Sequence, residues 1–158
     1  MIAIPIPWSR SNWSTMSFTS TLYLCPVLDL LLVNVSPEWR PEIRLGLQEA
    51  LVNAAKHGNK LDPTKTIVVR FTVTTKEYCW VIVDQGKGFG AEHCYIPSHQ
   101  HLVKQHLVKQ LPKDEAENGR GFSILHEVFD YVHWNREGTQ LTLSKAIVSK
   151  KEKQPSIC

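Results

Sequence analysis

Glu49, Asn53 and Lys56 stand four and then three residues apart in the stretch Leu47-Gln-Glu49-Ala-Leu-Val-Asn53-Ala-Ala-Lys56-His57-Gly58-Asn59. On an α-helix those steps bring the chain back to one side, so a carboxylate, a neutral amide oxygen and an ammonium share a stripe. Ile43, Leu47, Ala50, Leu51 and Ala54 recur at the same steps and make the apolar face beside it. The stripe borders the buried face instead of opposing it, which suits a groove. A set of that kind can hold a magnesium nucleotide. A solvated helix face with an incidental pair of polar residues is the alternative that this helix alone leaves open.

Two glycine segments bear on the choice. Asp84-Gln85-Gly86-Lys87-Gly88-Phe89-Gly90 directly follows the apolar run Cys79 to Val83. An aspartate at the end of a strand can accept a hydrogen bond from an exocyclic amine such as that of adenine. The glycines let backbone approach a flat base. Taken alone, Asp84 also reads as a turn residue satisfying its own backbone. A dinucleotide-binding G-x-G-x-x-G does not fit, because no glycine stands three after Gly88, no helical period follows, and the sheet reads as antiparallel.

The second segment, Gly119-Arg120-Gly121, precedes a helical pattern over about 122–129 in which Phe122, Leu125 and Phe129 take core spacing. Free amides at a helix start, next to an arginine, make a phosphate seat. An ordinary loop-to-helix junction is the alternative. The sequence has neither a G-x-x-x-x-G-K-[ST] loop nor the H-R-D and D-F-G pair of common protein kinases, so those routes to ATP are closed.

The elements that must position these residues follow from periodicity. Ser17 to Leu24 predicts a strand, and Pro26 opens a short helix through Val27, Leu28, Leu31 and Leu32. Ser36 predicts a cap, with Pro37 at the first position of the long helix, which stops at the glycine of His57-Gly58-Asn59. Thr66 to Val73 and Cys79 to Val83 predict an antiparallel hairpin about Thr75-Lys76-Glu77. Val132 to Trp134 and Thr139 to Leu143 predict a final pair about Asn135-Arg136-Glu137-Gly138.

Composition bounds the class. A chain of 158 residues, 42% hydrophobic and 21% charged, predicts one globular domain with a core that needs no staples. A formal charge of +3, with no basic block interleaved with aromatics, argues against direct nucleic-acid binding. No apolar run approaches the ~20 residues that cross a bilayer, so no membrane partner is expected. Met1 to Trp8 lacks a basic region ahead of its isoleucines and is broken by Pro5 and Pro7, which makes a poor secretory signal. Cys25, Cys79, Cys94 and Cys158 have no C-x-x-C spacing. These features together predict a cytoplasmic protein.

Four motifs in order then carry a resemblance. Glu49-Ala-Leu-Val-Asn53-Ala-Ala-Lys56-His57 resembles the N box of the ATP-binding domain shared by gyrase, heat-shock chaperone, histidine kinase and mismatch-repair ATPases (the GHKL superfamily). Asp84-Gln-Gly86-Lys-Gly88 resembles its first glycine box, Gly119-Arg-Gly121-Phe its second, and Gly138-Thr139-Gln-Leu141-Thr-Leu143 its terminal Gly-Thr strand. The match spans roughly residues 20–145 and is closest to the small anti-sigma-factor serine/threonine kinases.

The resemblance implies an α+β fold: a two-layer α/β sandwich of the histidine-kinase-like ATPase type, mostly antiparallel, with helices on one face. It also implies roles. Asn53 would coordinate Mg2+, Glu49 would act as general base, Asp84 would read the adenine amine, and Thr139 would support it. Gly86, Gly88, Gly119 and Gly121 would line the ATP site, with Lys56 and Arg120 stabilising charge on the phosphates. The implied partners are an anti-sigma-factor antagonist of the STAS type and a sigma factor, and the implied state is a homodimer. No separate phospho-acceptor helix pair precedes the domain in this short chain, so a histidine kinase is not expected.

The expected organisation is an N-terminal extension at 1–15 with Trp8 and Trp13, the domain at 16–148 and a charged tail at 149–158. The ATP lid, about 91–118, contains the direct repeat His101-Leu-Val-Lys-Gln105, His106-Leu-Val-Lys-Gln110, whose period of five suits neither helix nor strand. His93, His99, His101, His106 and Cys94 raise zinc as a rival ligand, although their spacing fits no standard set. Two functions remain in view: a kinase acting on a small antagonist protein, and a non-catalytic ATP/ADP-dependent switch that captures a partner.

Overall fold

The computed structural model describes residues 12–88 and 113–147, with 113–120 as backbone only. The expectations for the extension before residue 12, for Phe89 and Gly90 of the first glycine segment, for 91–112 of the lid with its repeat and its histidines, and for the tail lie outside the described residues. In chain order the elements are β1 (Ser14–Thr19), α1 (Cys25–Leu31), α2 (Arg40–Val52), a π-helical segment (Asn53–Gly58), β2 (Thr66–Val73), β3 (Glu77–Val83), α3 (Lys113–Val128), β4 (Tyr131–Trp134) and β5 (Gln140–Ala146). The five strands form one antiparallel sheet in the order β1-β2-β3-β5-β4. This is the α+β arrangement expected from the sequence, an antiparallel sheet with helices packed on one face.

Alternation along the strands decides which face is covered. Ile67, Val69, Trp80, Ile82, Leu141 and Leu143 are buried on one side, where they meet Ile43, Leu47 and Leu51 of α2 and Leu125 of α3. Full burial of each such side chain contributes roughly 1.5–3 kcal/mol. Trp80 stands opposite Phe71 on β2 and Leu143 on β5, and the edge of Phe129 meets it with centroids 5.8 Å apart. Gly46 lets α2 press against the end of α3, since a Cβ there would stand 2.5 Å from Phe129 Cε2 and 2.9 Å from Val128 Cγ1. The layers are thereby locked where the site begins.

Three of the element boundaries that differ from those expected do so for a clear local reason. Helix α2 starts at Arg40, not near Pro37, and Pro41 occupies its first turn. Pro41 has no N–H, so a helix begun at Pro37 would lack a bond in its second turn. Ser36 instead closes a turn by accepting from Trp39 N at 3.0 Å, and the Arg40 side chain donates to Val35 O at 2.8 Å.

Strand β1 runs over Ser14–Thr19, earlier than expected, in register with β2 from Ser14 opposite Phe71 to Thr19 opposite Thr66. It ends where β2 begins, because Ser20 N donates to Lys65 O and Leu24 must turn in to be buried. The early start takes in part of the expected extension.

Helix α3 reaches back to Lys113, through the end of the expected lid, so Gly119-Arg120-Gly121 lies inside a helix and not at its opening. Lys113-Asp-Glu-Ala-Glu117 contains strong helix formers, whose combined propensity outweighs two glycines at about 1 kcal/mol each. No described helix is long and apolar enough to cross a membrane.

Candidate functional site

Glu49 and Asn53, both half-buried, sit one helical turn apart where α2 passes into the π-helical segment. Gly121 of α3 faces them: a Cβ on it would lie 3.3 Å from Glu49 Oε2 and 3.5 Å from Asn53 Nδ2. An acid and an amide therefore converge on a bare stretch of helix. Asn53 Nδ2 is buried and has no hydrogen-bond partner among the described residues. Leaving such a group unpaired costs roughly 1–3 kcal/mol, which a ligand bonded to this amide would offset.

The π winding is what connects this pair to the rest of the site. Asn59 N donates to Ala54 O, five residues back, at 2.8 Å, and Leu61 N to Ala55 O at 2.8 Å. Wider winding of this kind is common at functional sites and shifts the residues beyond it around the axis. It brings Gly58 against the end of β3, where a Cβ would stand 2.6 and 2.7 Å from the two carboxylate oxygens of Asp84. Lys56, placed with Glu49 and Asn53 by α-helical counting, is exposed on the π-helical segment. The expected glycine stop is also revised: the left-handed residues that turn the chain are Lys60 and Leu61, with φ of 57° and 56°. Gly58 is there for close approach.

Asp84 is buried, at 8% exposure. Its N–H donates to Thr139 O at 3.0 Å, and its Oδ1 accepts from Gly86 N at 2.8 Å. Burial pushes its pKa up from the ordinary carboxylate value, against the pull of the Gly86 amide and the charge of Lys65. A Cβ on Gly86 would collide with Gly58 O. Gly88 takes a φ of +72°, and a Cβ there would collide with Glu137 O and stand 3.2 Å from the Thr139 methyl. The structure thus gathers Glu49, Asn53 and Gly121 at one end, and Asp84, Gly86, Gly88 and Thr139 at the other, with the π segment between. Gly119 and Arg120 are placed as helix backbone one turn or less before Gly121.

A family model for the histidine kinase-like ATPase domain matches residues 27–145, most of the chain. The chain belongs to this family. No curated protein matches it.

Membership of the histidine kinase-like ATPase family makes the protein an ATP-binding domain, of a class that uses ATP for phosphotransfer or hydrolysis. The matched span covers both glycine segments, the π segment and Thr139, and leaves out β1. Among the described residues no group of three or more His, Cys, Asp and Glu gathers to hold a metal.

Two residues that support the site went unmarked in the sequence. Asn135 Oδ1 accepts from Thr139 N and Gln140 N, both at 2.9 Å, and its Nδ2 donates to Thr139 Oγ1 at 3.3 Å. It fixes Thr139 beside Asp84. An Asn opening a four-residue turn is a familiar signal, but it is one of turns in general. Asn59, fully buried, stands in the sequence only as part of the helix stop. No local pattern shows that its amide reaches across the fold.

Proposed function

We propose that this protein is an ATP-dependent serine/threonine protein kinase acting as an anti-sigma factor, which phosphorylates a small STAS-type antagonist protein and alternately holds a sigma factor. It works as a homodimer, with Mg2+ bound alongside ATP. The observation that supports this reading is the pairing of Glu49 with Asn53 over the bare backbone of Gly121. An acid within reach of the phosphate-bearing end of a nucleotide site is what transfer to a hydroxyl requires.

The residues divide the work. The amide of Asn53 fits a magnesium ion, because exchanging its nitrogen and oxygen would turn the buried unpartnered end into an acceptor. Glu49 takes the proton of the serine or threonine hydroxyl as its oxygen bonds to the γ-phosphorus. The bond from that phosphorus to the β–γ bridging oxygen breaks, and ADP leaves with the electron pair. Lys56 and Arg120 offset charge on the phosphates. One oxygen of Asp84 is engaged by Gly86, and the other accepts from the adenine amine, with Thr139 beside it.

The second reading, a non-catalytic ATP/ADP-dependent switch, is favoured by one observation. The Gly119–Gly121 amides lie within the ladder of α3, not at an open helix start, so the phosphate seat is not preformed. Transfer of radiolabelled phosphate to candidate antagonist proteins separates the two. The kinase leaves label on a serine or threonine, and Glu49→Ala lowers that transfer by roughly 10²–10⁴-fold while ATP still binds. Full transfer by the variant would remove Glu49 from the reaction; ATP-dependent capture without label would favour the switch. Pull-down with and without magnesium ATP, followed by mass spectrometry, identifies the partner and its phosphosite.

A further inference from the structure

Asn59 spends both ends of its side-chain amide on residues outside the π turn, while its backbone C=O accepts from Asp62 N at 3.1 Å. Its backbone N–H closes the π segment on Ala54 O. Its Nδ2 donates to Ser20 Oγ at 2.7 Å, beyond the end of β1, and to Thr66 O at 2.9 Å, at the start of β2. Its Oδ1 accepts from Gln85 N at 2.7 Å. The side chain is fully buried, so bulk solvent does not compete for these bonds. Asn59 follows Gly58 and Gln85 follows Asp84, so the last bond joins the residues next to the close contact of Gly58 with Asp84.

We infer that Asn59 is a positioning residue for base recognition: its amide holds Gln85, and so fixes the Asp84 carboxylate against Gly58 at the depth where it accepts from an exocyclic amine. The inference rests on the reading of Asp84 as the adenine acceptor. Chain connectivity alone does not set that depth. Among the described residues Asp84 is tied on the other side through its backbone to Thr139, and the Gln85 side chain adds a latch by accepting from Thr66 N at 2.7 Å. Without Asn59 Oδ1 the Gln85 amide loses its partner inside the fold and moves outward toward water, taking Asp84 with it.

Comparison of ATP with inosine triphosphate, which has an oxygen in place of the exocyclic amine, tests this, with binding measured by calorimetry. The wild-type protein should prefer ATP, and Asp84→Asn should erase the preference. Asn59→Ala should weaken ATP by about fivefold to tenfold, the worth of a well-placed hydrogen bond, and leave inosine triphosphate within about twofold. Ser20→Ala removes one partner of the same amide and spares the bond to Gln85, so it should keep the preference. Asn59→Ser, too short to reach Gln85, repeats the test if the alanine variant does not fold. Equal weakening of both nucleotides, or an unchanged ratio, in the folded Asn59 variants would overturn the positioning role while leaving Asp84 as the reader. A wild-type protein with no preference would overturn the reading of Asp84, and the inference with it.

Discussion

Gly58 and Asp84 touch so closely that a methyl group on the glycine would stand 2.6 and 2.7 Å from the two oxygens of the carboxylate. Gly58→Ala therefore displaces either the π segment or the acid. Overpacking of this kind costs about 1–3 kcal/mol, and the midpoint of urea unfolding should fall accordingly. ATP affinity, measured where the variant remains folded, should fall as well. A variant with wild-type stability and affinity would mean that the contact is loose in solution.

Much of this arrangement was legible from residue types, and the exceptions share a cause. Strand β2 lies where Ile67, Val68 and Val69 and their neighbours place it, because β-branched residues seldom suit anything else. The apolar face of α2 is buried as its spacing requires. The π segment was not legible, although Ala54 and Ala55 are both buried, which a stripe counted at α-helical steps does not ask for. Asn59 was hidden because its partners Ser20 and Gln85 lie 39 and 26 residues away. Local pattern cannot report contacts made by the fold, and the residues that hold one end of the site to the other are of that kind.

The buried carboxylate of Asp84 opposes folding at neutral pH. Burial raises its pKa above the ordinary 3.8, so the folded state binds the proton more tightly than the unfolded chain does. The stability due to the protonated acid is fully present below 3.8 and is lost as pH rises through the higher folded value. Asp84→Asn keeps the shape and an acceptor for the Gly86 amide. Its melting temperature should exceed that of the wild type near neutral pH, and the gain should shrink as pH falls through the raised folded value toward 3.8. The same variant should lose adenine recognition, so stability and binding move in opposite directions. A melting temperature lowered at neutral pH would show that the charge is better compensated than its surroundings indicate.

Cys25 is exposed, whereas the Cys79 thiol is pushed up to about 11, first by burial and then by the charge of Glu77. At neutral pH only about one Cys79 in ten thousand is a thiolate, the form that reacts. Brief treatment with iodoacetamide, mapped by mass spectrometry, should modify Cys25 and spare Cys79 until the protein is unfolded. Comparable labelling of both in the native state would mean that β3 is more open than its pairing with β2 and β5 implies.

The same substitution made on two facing helices should give opposite results. Alanine is better than glycine inside a helix by about 1 kcal/mol, and that gain applies to both Gly46 and Gly121. At Gly46 the new methyl meets Phe129 Cε2 at 2.5 Å and Val128 Cγ1 at 2.9 Å, in a core with little room to yield. Gly46→Ala should therefore lower unfolding stability by about 1–3 kcal/mol despite its better propensity. At Gly121 the nearest atoms are Glu49 Oε2 at 3.3 Å and Asn53 Nδ2 at 3.5 Å, the ends of side chains that can give by a few tenths of an ångström. Gly121→Ala should then be as stable as the wild type or more so. Its methyl fills the gap between the acid and the amide, where the magnesium-bearing end of the nucleotide is proposed to lie, and magnesium-dependent ATP affinity should fall about tenfold, or 1.4 kcal/mol. If Gly121→Ala were stable and bound magnesium ATP undiminished, that gap would not be the place where the phosphates sit.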